Sequence, residues 1–333
     1  MKTSPIPLPV IIAAILLLLI VAGEALVYTG GHGDYSSSVD GTECTLEVRG
    51  SHVYDIVVMD GSFDLPDRVY IYHDEDYQST PQSSKVAVGA RVLDEDNYVK
   101  ELQSSLKVRG VSDSQVVDAK DLKDIVGKSG SGMAVVCISG ALPDTVYDGT
   151  SSSPIMGWLE SGGRLYWAGN VMGKYISHPG SLEPVAGGTS LFLGSECIDD
   201  LQTESYDKIT YNGFCESFSI LNNEVQYGVK TSSLPSGSRY VDFGYTDGER
   251  SSICVVGVGD GCVCVIGGGY SDLQRIDMSQ MVCSGISPDT SIIQSYEGKA
   301  SGHTSVKIAE GEHVYVYLGG DLAIYGQLHR VIG

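Results

Sequence analysis

The sequence predicts an α/β protein: a mostly parallel sheet flanked by helices, β-rich segments before and after it, and one N-terminal transmembrane helix. Three observations support this fold class. Strand-like apolar runs alternate with helical patterns over about 130 residues, an arrangement that produces parallel strands joined by crossovers. Strand-type patterns dominate the flanking segments. Residues 10–23 form an uncharged apolar run.

The strands of the sheet are predicted at residues 68–73, 114–118, 133–138, 164–168 and 190–193. The run at 133–138 (MAVVCI) is continuously apolar between Gly132 and Gly140, as expected of a strand covered on both faces. Helices are predicted at 97–109, at 121–126, after Ser153 and at 273–284. Ser153 can cap its helix, Pro154 fits the first turn, and Gly162 can end it.

We divide the chain into five segments. Residues 1–28 are a transmembrane anchor or uncleaved signal, and residues 29–42 are a flexible tether. Residues 43–67 are β-rich, with strands at 44–48 and 53–59, and residues 68–288 are the α/β domain. Residues 289–333 are a β-rich tail that is expected to pack with the early strands. Within the α/β domain, residues 250–267 predict a hairpin that turns at Asp260-Gly261.

The apolar run at 10–23 fits an anchor better than a cleaved signal or a core helix. Glu24 interrupts the small residues that a cleavage site needs. Lys2 is the one basic side chain before the run and Arg49 is the next after it, so the N-terminus is expected to be cytoplasmic. The sequence therefore predicts a single-pass protein of the cell membrane whose C-terminal domain is extracytoplasmic.

Composition and motifs exclude several functions. Lysine and arginine number 21 against 42 acidic residues, a formal net charge of −21, so no nucleic-acid partner is expected. Residues 127–129 (GKS) resemble the end of a phosphate loop, but Leu122 stands where its first glycine belongs. Residues 257–261 (GVGDG) lack the last glycine of a dinucleotide fingerprint. No cofactor is therefore predicted.

The eight cysteines allow many disulfide pairings that sequence cannot sort. Four of them lie in apolar strand-like runs, where cysteine commonly packs as a small hydrophobe: Cys137, Cys254, Cys262 and Cys264. We therefore favour buried free thiols over a disulfide framework.

Candidate ligand-binding residues follow the predicted parallel strands, because ligands of open α/β sheets gather beyond the carboxyl ends of the strands. They are His73, Asp74, Ser139, Asp144 and Asn170. His73 precedes three acidic residues and could bind a divalent cation or relay a proton. The alternative, a solvated acidic loop on an acidic protein, is favoured, so no metal site is predicted and no catalytic residue is assigned.

The chain has twenty tyrosines and five phenylalanines. Tyrosine suits surfaces that bind sugars or proteins, and it equally suits half-buried strands. Two pairs share a strand face, Tyr70 with Tyr72 and Tyr315 with Tyr317. Both interpretations stay open at the level of sequence.

The stretch from Met133 to Asn170 resembles the class I glutamine amidotransferase-like superfamily, especially its ThuA-like, non-amidotransferase members. The shared pattern is a buried strand, a loop, a helix ending in Glu-Ser-Gly-Gly, and a strand that runs into a tight turn. The resemblance extends over about residues 68–286 and implies a layered, flavodoxin-like scaffold. In catalytic members a nucleophilic cysteine, assisted by a histidine and an acid, stands on that turn. The corresponding stretch here, residues 165–174 (LYWAGNVMGK), contains no cysteine.

Together these features predict a membrane-anchored extracytoplasmic protein that binds or assembles through a non-catalytic α/β domain. Its partners would be the membrane, through the N-terminal helix, and a protein or carbohydrate. The alternative is an extracytoplasmic hydrolase of glycans or peptides, which requires His73 and an acid to converge with Ser139 or Asn170. A transporter's substrate-binding component is disfavoured because the α/β pattern is not repeated.

Overall fold

A computed structural model of the chain describes residues 35–40, 43–48, 53–61, 63, 65–81, 91–200, 210–211, 227–242, 245–246, 250–267, 269–298, 302–307, 313–319 and 327–332. The anchor predicted at residues 1–28 lies outside these ranges. Within them, no helix combines the length and the apolarity that crossing a bilayer requires.

Three strands precede the α/β domain: β1 (Tyr35–Asp40), β2 (Glu43–Val48) and β3 (Val53–Asp60). β2 and β3 lie where the sequence predicts strands. β1 lies in the segment predicted as a flexible tether, and it pairs antiparallel with β2. The tether prediction therefore does not hold for residues 35–40, because strand pairing uses backbone groups that even a serine-rich sequence supplies.

The α/β domain contains five α-helices among the described residues: α1 (Glu95–Val108), α2 (Ala119–Val126), α3 (Pro154–Glu160), α4 (Gly188–Leu193) and α5 (Asp272–Ser284). Its first strands are β4 (Arg68–Tyr72), β5 (Ser114–Val117), β6 (Met133–Cys137), β7 (Leu142–Pro143), β8 (Arg164–Trp167), β9 (Tyr175–His178) and β10 (Ser181–Pro184). The later strands are β11 (Ile198–Asp200), β12 (Thr210–Tyr211), β13 (Tyr227–Lys230), β14 (Tyr240–Asp242), β15 (Tyr245–Thr246), β16 (Arg250–Ser251), β17 (Ile253–Val258) and β18 (Gly261–Ile266).

The central sheet has seven strands in the order β5-β4-β6-β8-β18-β17-β14. The strands from β5 to β18 are parallel, and β17 pairs antiparallel with both of its neighbours, β18 and β14. The structure thus confirms a mixed α/β fold in which a sheet containing parallel strands is flanked by helices. The order of the first four strands along the chain, 2-1-3-4, is that of flavodoxin-like sheets.

Two apolar layers cover the sheet, one on each face. On one face, Val69, Val136 and Tyr166 pack with the buried sides of α1 and α5. On the other, strand residues such as Trp167 pack with α2, α3 and α4. Successive residues of β6 alternate between the two layers, which is why that strand is apolar throughout.

The described part of the C-terminal tail forms four more strands: β19 (Ser291–Gly298), β20 (Gly302–Lys307), β21 (His313–Gly319) and β22 (Gln327–Ile332). They build an antiparallel sheet in the order β19-β3-β21-β22, and β20 joins β1 and β2 in another. The predicted packing of the tail with the early strands is confirmed. Two further small sheets have the orders β10-β9-β7 and β11-β13-β16-β15-β12.

Three local predictions need correction. Residues 190–193, predicted as a strand, belong to helix α4, because a short apolar run does not distinguish the two structures. The predicted hairpin is present, but its two-residue turn is Gly259-Asp260, one position earlier than expected. Ser153 stands at the N-cap of α3 without capping a helix amide, and its Oγ instead accepts from the backbone NH of Asp148 at 3.1 Å.

Glycines let the start of β8 pack directly beneath Trp158, which is almost fully buried in α3. A Cβ on Gly163 would lie 2.4 Å from the Trp158 ring, and a Cβ on Gly130 would lie 2.4 Å from the backbone N of Gly163. Gly162, at a φ of 101°, turns the chain between helix and strand. The Gly-Gly pair of the resemblance therefore has a packing function here.

We expect Gly163→Ala to destabilise the domain by about 1–3 kcal/mol, because the added methyl overlaps the Trp158 ring. The matched control is Gly157→Ala within α3, where an added Cβ has no atom within 4 Å. Gly157→Ala is expected to stabilise the domain by about 0.5–1 kcal/mol, because alanine has a higher helix propensity than glycine. Urea unfolding of both variants measures the difference, and equal midpoints would contradict this packing.

Candidate functional site

The strand order places a topological switch point between β4 and β6, where the chain leaves the sheet in opposite directions. His73 directly follows β4, Ser139 lies two residues after β6, and Asn170 lies three residues after β8. All three stand at the carboxyl edge of the parallel strands, as the sequence predicts. Some of the side chains that contact one another at this edge differ from those that the sequence predicts.

His73 lies between two carboxylates of helix α1. Its Nδ1 is 3.1 Å from Glu95 Oε1, and its Nε2 is 3.0 Å from Asp96 Oδ1. Ser79 Oγ donates to both oxygens of Glu95, at 3.1 and 2.9 Å. We call these four residues, with the nearby Glu75, the His73 cluster. The hydrogen bond to Glu95 is the main cause that raises the pKa of His73.

The first turn of α1 can reach His73 because the helix begins beside the end of β4. Asp94 is its N-cap and accepts from the backbone NH of Asn97 at 2.8 Å. Glu95 and Asp96 follow directly and are held by the helical backbone. The cluster therefore joins a strand end to a helix start 22 residues further along the chain.

A second histidine, His178 at the end of β9, also bridges two carboxylates. Its Nδ1 is 2.9 Å from Asp144 Oδ2 and its Nε2 is 3.1 Å from Glu183 Oε2. Tyr77 donates its hydroxyl to Asp144 at 3.1 Å. We call these four residues the His178 cluster. The hydrogen bond with Asp144 is the main cause that raises the pKa of His178.

Bridging of this kind favours a charged ring in both clusters. A neutral imidazole has one N–H donor, whereas a carboxylate oxygen only accepts. Two carboxylates at the two ring nitrogens are therefore satisfied together when the ring carries both protons, or when another cation replaces one of them.

Asp74 serves a local structural purpose. Its two oxygens accept from the backbone NH of Ala119, at 2.9 Å, and of Asp76, at 3.0 Å. Asp74 thus fixes the turn that follows His73 and holds it against the start of α2. The carboxylates that are hydrogen-bonded to His73 are those of Glu95 and Asp96.

Ser139 and Cys137 lie in the interior. Ser139 is buried and donates to the carbonyl of Ala141 at 2.7 Å. Cys137 Sγ lies 3.6 Å from Ser139 Oγ, and burial raises the pKa of this thiol to about 12. A thiol with that pKa is almost entirely protonated at neutral pH and is a poor nucleophile.

Asn170 belongs to a tightly packed bend after β8. Its Oδ1 accepts from the backbone NH of Val171 at 2.7 Å, and its carbonyl accepts from Trp167 Nε1 at 2.7 Å. A Cβ on Gly140 would lie 2.4 Å from the backbone N of Asn170, so the turn after β6 packs closely on this bend. The bend contacts the backbone of the Ser139 loop, whereas the side chain of His73 is hydrogen-bonded to helix α1.

Sequence reasoning missed Glu95, Asp96, His178, Glu183 and Tyr77 as members of these clusters. Glu95 and Asp96 carried a usable signal, because an acidic first turn of a helix that follows a strand lies near that strand's carboxyl end. His178 and Glu183 lie on β9 and β10, which the hydrophobic pattern does not predict.

The buried tyrosines favour the structural interpretation of the tyrosine content. Tyr70 and Tyr72 are 7% and 1% exposed and pack in the layer that contains α2 and α3. Burial raises the pKa of both Tyr72 and Tyr166. The shared face of Tyr70 and Tyr72 is therefore part of the core. The structure describes the backbone of Tyr315 and Tyr317 and not their side chains.

Comparisons with known proteins give no assignment. No family model matches the chain, and no curated protein matches it. An exo-β-1,4-mannosidase from Opitutaceae bacterium strain TAV5 is 17% identical with a TM-score of 0.34, covering 64% of this chain and 32% of that one. A β-galactosidase from the Antarctic haloarchaeon Halorubrum lacusprofundi is 14% identical with a TM-score of 0.33, covering 79% of this chain and 36% of that one. The chain spans about a third of the length of each.

We expect His178 to stabilise the fold at acidic pH. Because its folded pKa is raised, this contribution is fully present below the unfolded pKa of about 6.5 and is lost as pH rises through the folded pKa. His178→Gln should therefore lower the urea midpoint most at pH about 5.5, with a difference from wild type that shrinks at higher pH. Lys120→Gln removes an exposed cation from α2 as a control. A His178→Gln difference that grows with pH would contradict the expectation.

Proposed function

We propose that the chain is a membrane-anchored extracytoplasmic protein whose α/β domain binds or assembles and does not catalyse. The bend after β8 is the observation that carries this proposal. In catalytic members of the superfamily that the sequence resembles, this bend holds the nucleophilic cysteine. Here it reads Ala168-Gly169-Asn170.

The state of Cys137 supports the same proposal. It is the cysteine of the neighbouring strand β6, it is completely buried, and its pKa is raised. Its sulfur contacts Ser139 and the carbonyl of Ala141. A scaffold can persist after its chemistry is lost, and its remaining uses are then recognition and assembly.

The hydrogen bonds of Ser139, Asn170 and Asp74 indicate that these side chains have structural roles. Ser139 and Asn170 are bonded to nearby backbone groups, and Asp74 ties a turn to α2. The hydrolase alternative asks for His73 and an acid together with Ser139 or Asn170. His73 does meet acids, Glu95 and Asp96, and this pairing is the observation that keeps a hydrolase as the second candidate.

An activity and labelling experiment separates the two candidates. We expect the full-length chain to release no product from chromogenic glycosides, peptides or glutamine. We also expect Cys137 to resist iodoacetamide in the native chain and to react fully after denaturation in guanidinium, as mass spectrometry of its peptide would show. Turnover that is lost in His73→Ala would favour the hydrolase. Rapid native labelling of Cys137 would contradict the inert scaffold.

The anchor is tested separately. We expect the full-length chain to stay with membranes during alkaline carbonate extraction, because residues 10–23 supply an uncharged apolar run. A chain that lacks residues 1–28 should move to the supernatant. External protease should degrade the domain in intact cells or spheroplasts. Release of the full-length chain by carbonate would overturn the anchor, and protection from protease would overturn the orientation.

A further inference from the structure

We propose that His73, Glu75 and Asp96 bind a divalent first-row transition-metal ion, such as Zn²⁺ or Mn²⁺, at the carboxyl edge of the central sheet. The inference goes beyond the proposed function and holds whether the domain binds a ligand or assembles. It revises the expectation from sequence, which favoured a solvated acidic loop.

The spacing of the three residues suits a shared ion. One ligand atom from each of them lies within 4.8 Å of the other two. Ligand atoms about 2.1 Å from a common ion lie about 3–4 Å from one another. The 3.0 Å between His73 Nε2 and Asp96 Oδ1 already meets that condition. Glu75 and Asp96 are exposed, so a rotamer adjustment can bring the remaining atoms into range.

The surroundings of the His73 ring orient it as a ligand. Nδ1 faces Glu95 Oε1 at 3.1 Å, and Ser79 Oγ holds Glu95 in place. Metal-binding histidines almost always donate their other ring N–H to a carboxylate, a carbonyl or water, which fixes the tautomer and raises the basicity of the ligating nitrogen.

On the other side of the ring, Nε2 faces a second carboxylate. With the proton on Nδ1, the lone pair of Nε2 points at the carboxylate of Asp96, 3.0 Å away. Two electron-rich atoms at this distance require a positive charge between them, supplied by a proton or by a metal ion. A metal ion at Nε2 would take the place of the second ring proton and leave the bond between Nδ1 and Glu95 intact.

Charge and support favour a metal ion at this position. The segments 74–76 and 94–96 carry six carboxylates beside the single His73 ring, which favours cations over anions. Asp74 fixes the turn that presents Glu75, and Asp94 fixes the start of the helix that presents Asp96. An imidazole nitrogen among carboxylates suits a first-row transition metal, whereas Ca²⁺ and Mg²⁺ prefer oxygen ligands alone.

The His178 cluster provides an internal comparison. His178 also bridges two carboxylates, but among the residues that the structure describes, the set with three convergent ligand atoms is that of His73. A general affinity of an acidic surface for cations would involve both histidines. A built site would involve His73 alone.

Calorimetric titration of the full-length chain tests the proposal. The chain is purified in mild detergent, stripped with a chelator, and titrated with ZnCl₂, MnCl₂ or CaCl₂. We expect one saturable Zn²⁺ or Mn²⁺ site in the wild type, lost in His73→Ala and in Asp96→Asn. Glu95→Gln should weaken binding about 10–100-fold by releasing the ring. Glu160→Gln, which makes the same charge change at an exposed position of α3, and His178→Gln should bind like the wild type.

A chemical footprinting experiment on the wild-type chain tests the same proposal without any variant. It therefore decides the question even if a variant does not fold. Diethyl pyrocarbonate modifies accessible imidazoles, and Zn²⁺ should protect His73 while leaving His178 reactive. The absence of a saturable site, a preference for Ca²⁺, or unchanged affinity in folded His73→Ala and Asp96→Asn would each overturn the proposal. Equal protection of both histidines would show surface attraction only and would overturn it as well.

Discussion

The central parallel strands are buried on both faces, and this burial determines where the ionisable side chains lie. β6, β8 and β18 lie between two helical layers, so their side chains must be apolar or fully hydrogen-bonded. This burial places Cys137, Cys264 and Tyr166 in the interior, where it raises the pKa of each group. Groups that can titrate near neutral pH are consequently found where the strands end.

At that edge the protein uses histidines to hold acidic side chains together. The net charge of −21 creates repulsion that the fold must offset locally. The His73 ring lies between two adjacent carboxylates of α1, and the His178 ring lies between the carboxylates of Asp144 and Glu183. A proton satisfies such a bridge, and so does a metal ion that has a third ligand within reach. The proposed site at His73 is the bridge that has this third ligand, Glu75.

The elements that the sequence predicts well are those whose signal is local. β6 follows from a continuous apolar run, and α1 follows from the helical spacing of Val99, Leu102 and Leu106. α4 was mistaken for a strand because Leu191, Phe192 and Leu193 form a run too short to show a period. The strand at 35–40 has no apolar pattern at all, because its pairing depends on the backbone.

The two histidine clusters were harder to predict because the residues that contact one another in them are distant in sequence. The position of His73 at a strand end follows from sequence, but its pairing with Glu95 depends on where α1 begins in space. His178 and Asp144 lie 34 residues apart and meet through the small sheet of β7, β9 and β10. The hydrophobic pattern predicts where the edge of the sheet lies. It does not predict which side chains come into contact there.

Hydrogen–deuterium exchange of the full-length chain tests the buried parallel centre most directly. We expect the amides of Met133–Cys137, Arg164–Trp167 and Gly261–Ile266 to exchange most slowly, through global unfolding, because these strands have hydrogen-bonded neighbours on both sides. The edge strand Ser114–Val117 should exchange faster. Exchange of Met133–Cys137 as fast as that edge strand would contradict a sheet centred on β6, and with it the burial of Cys137.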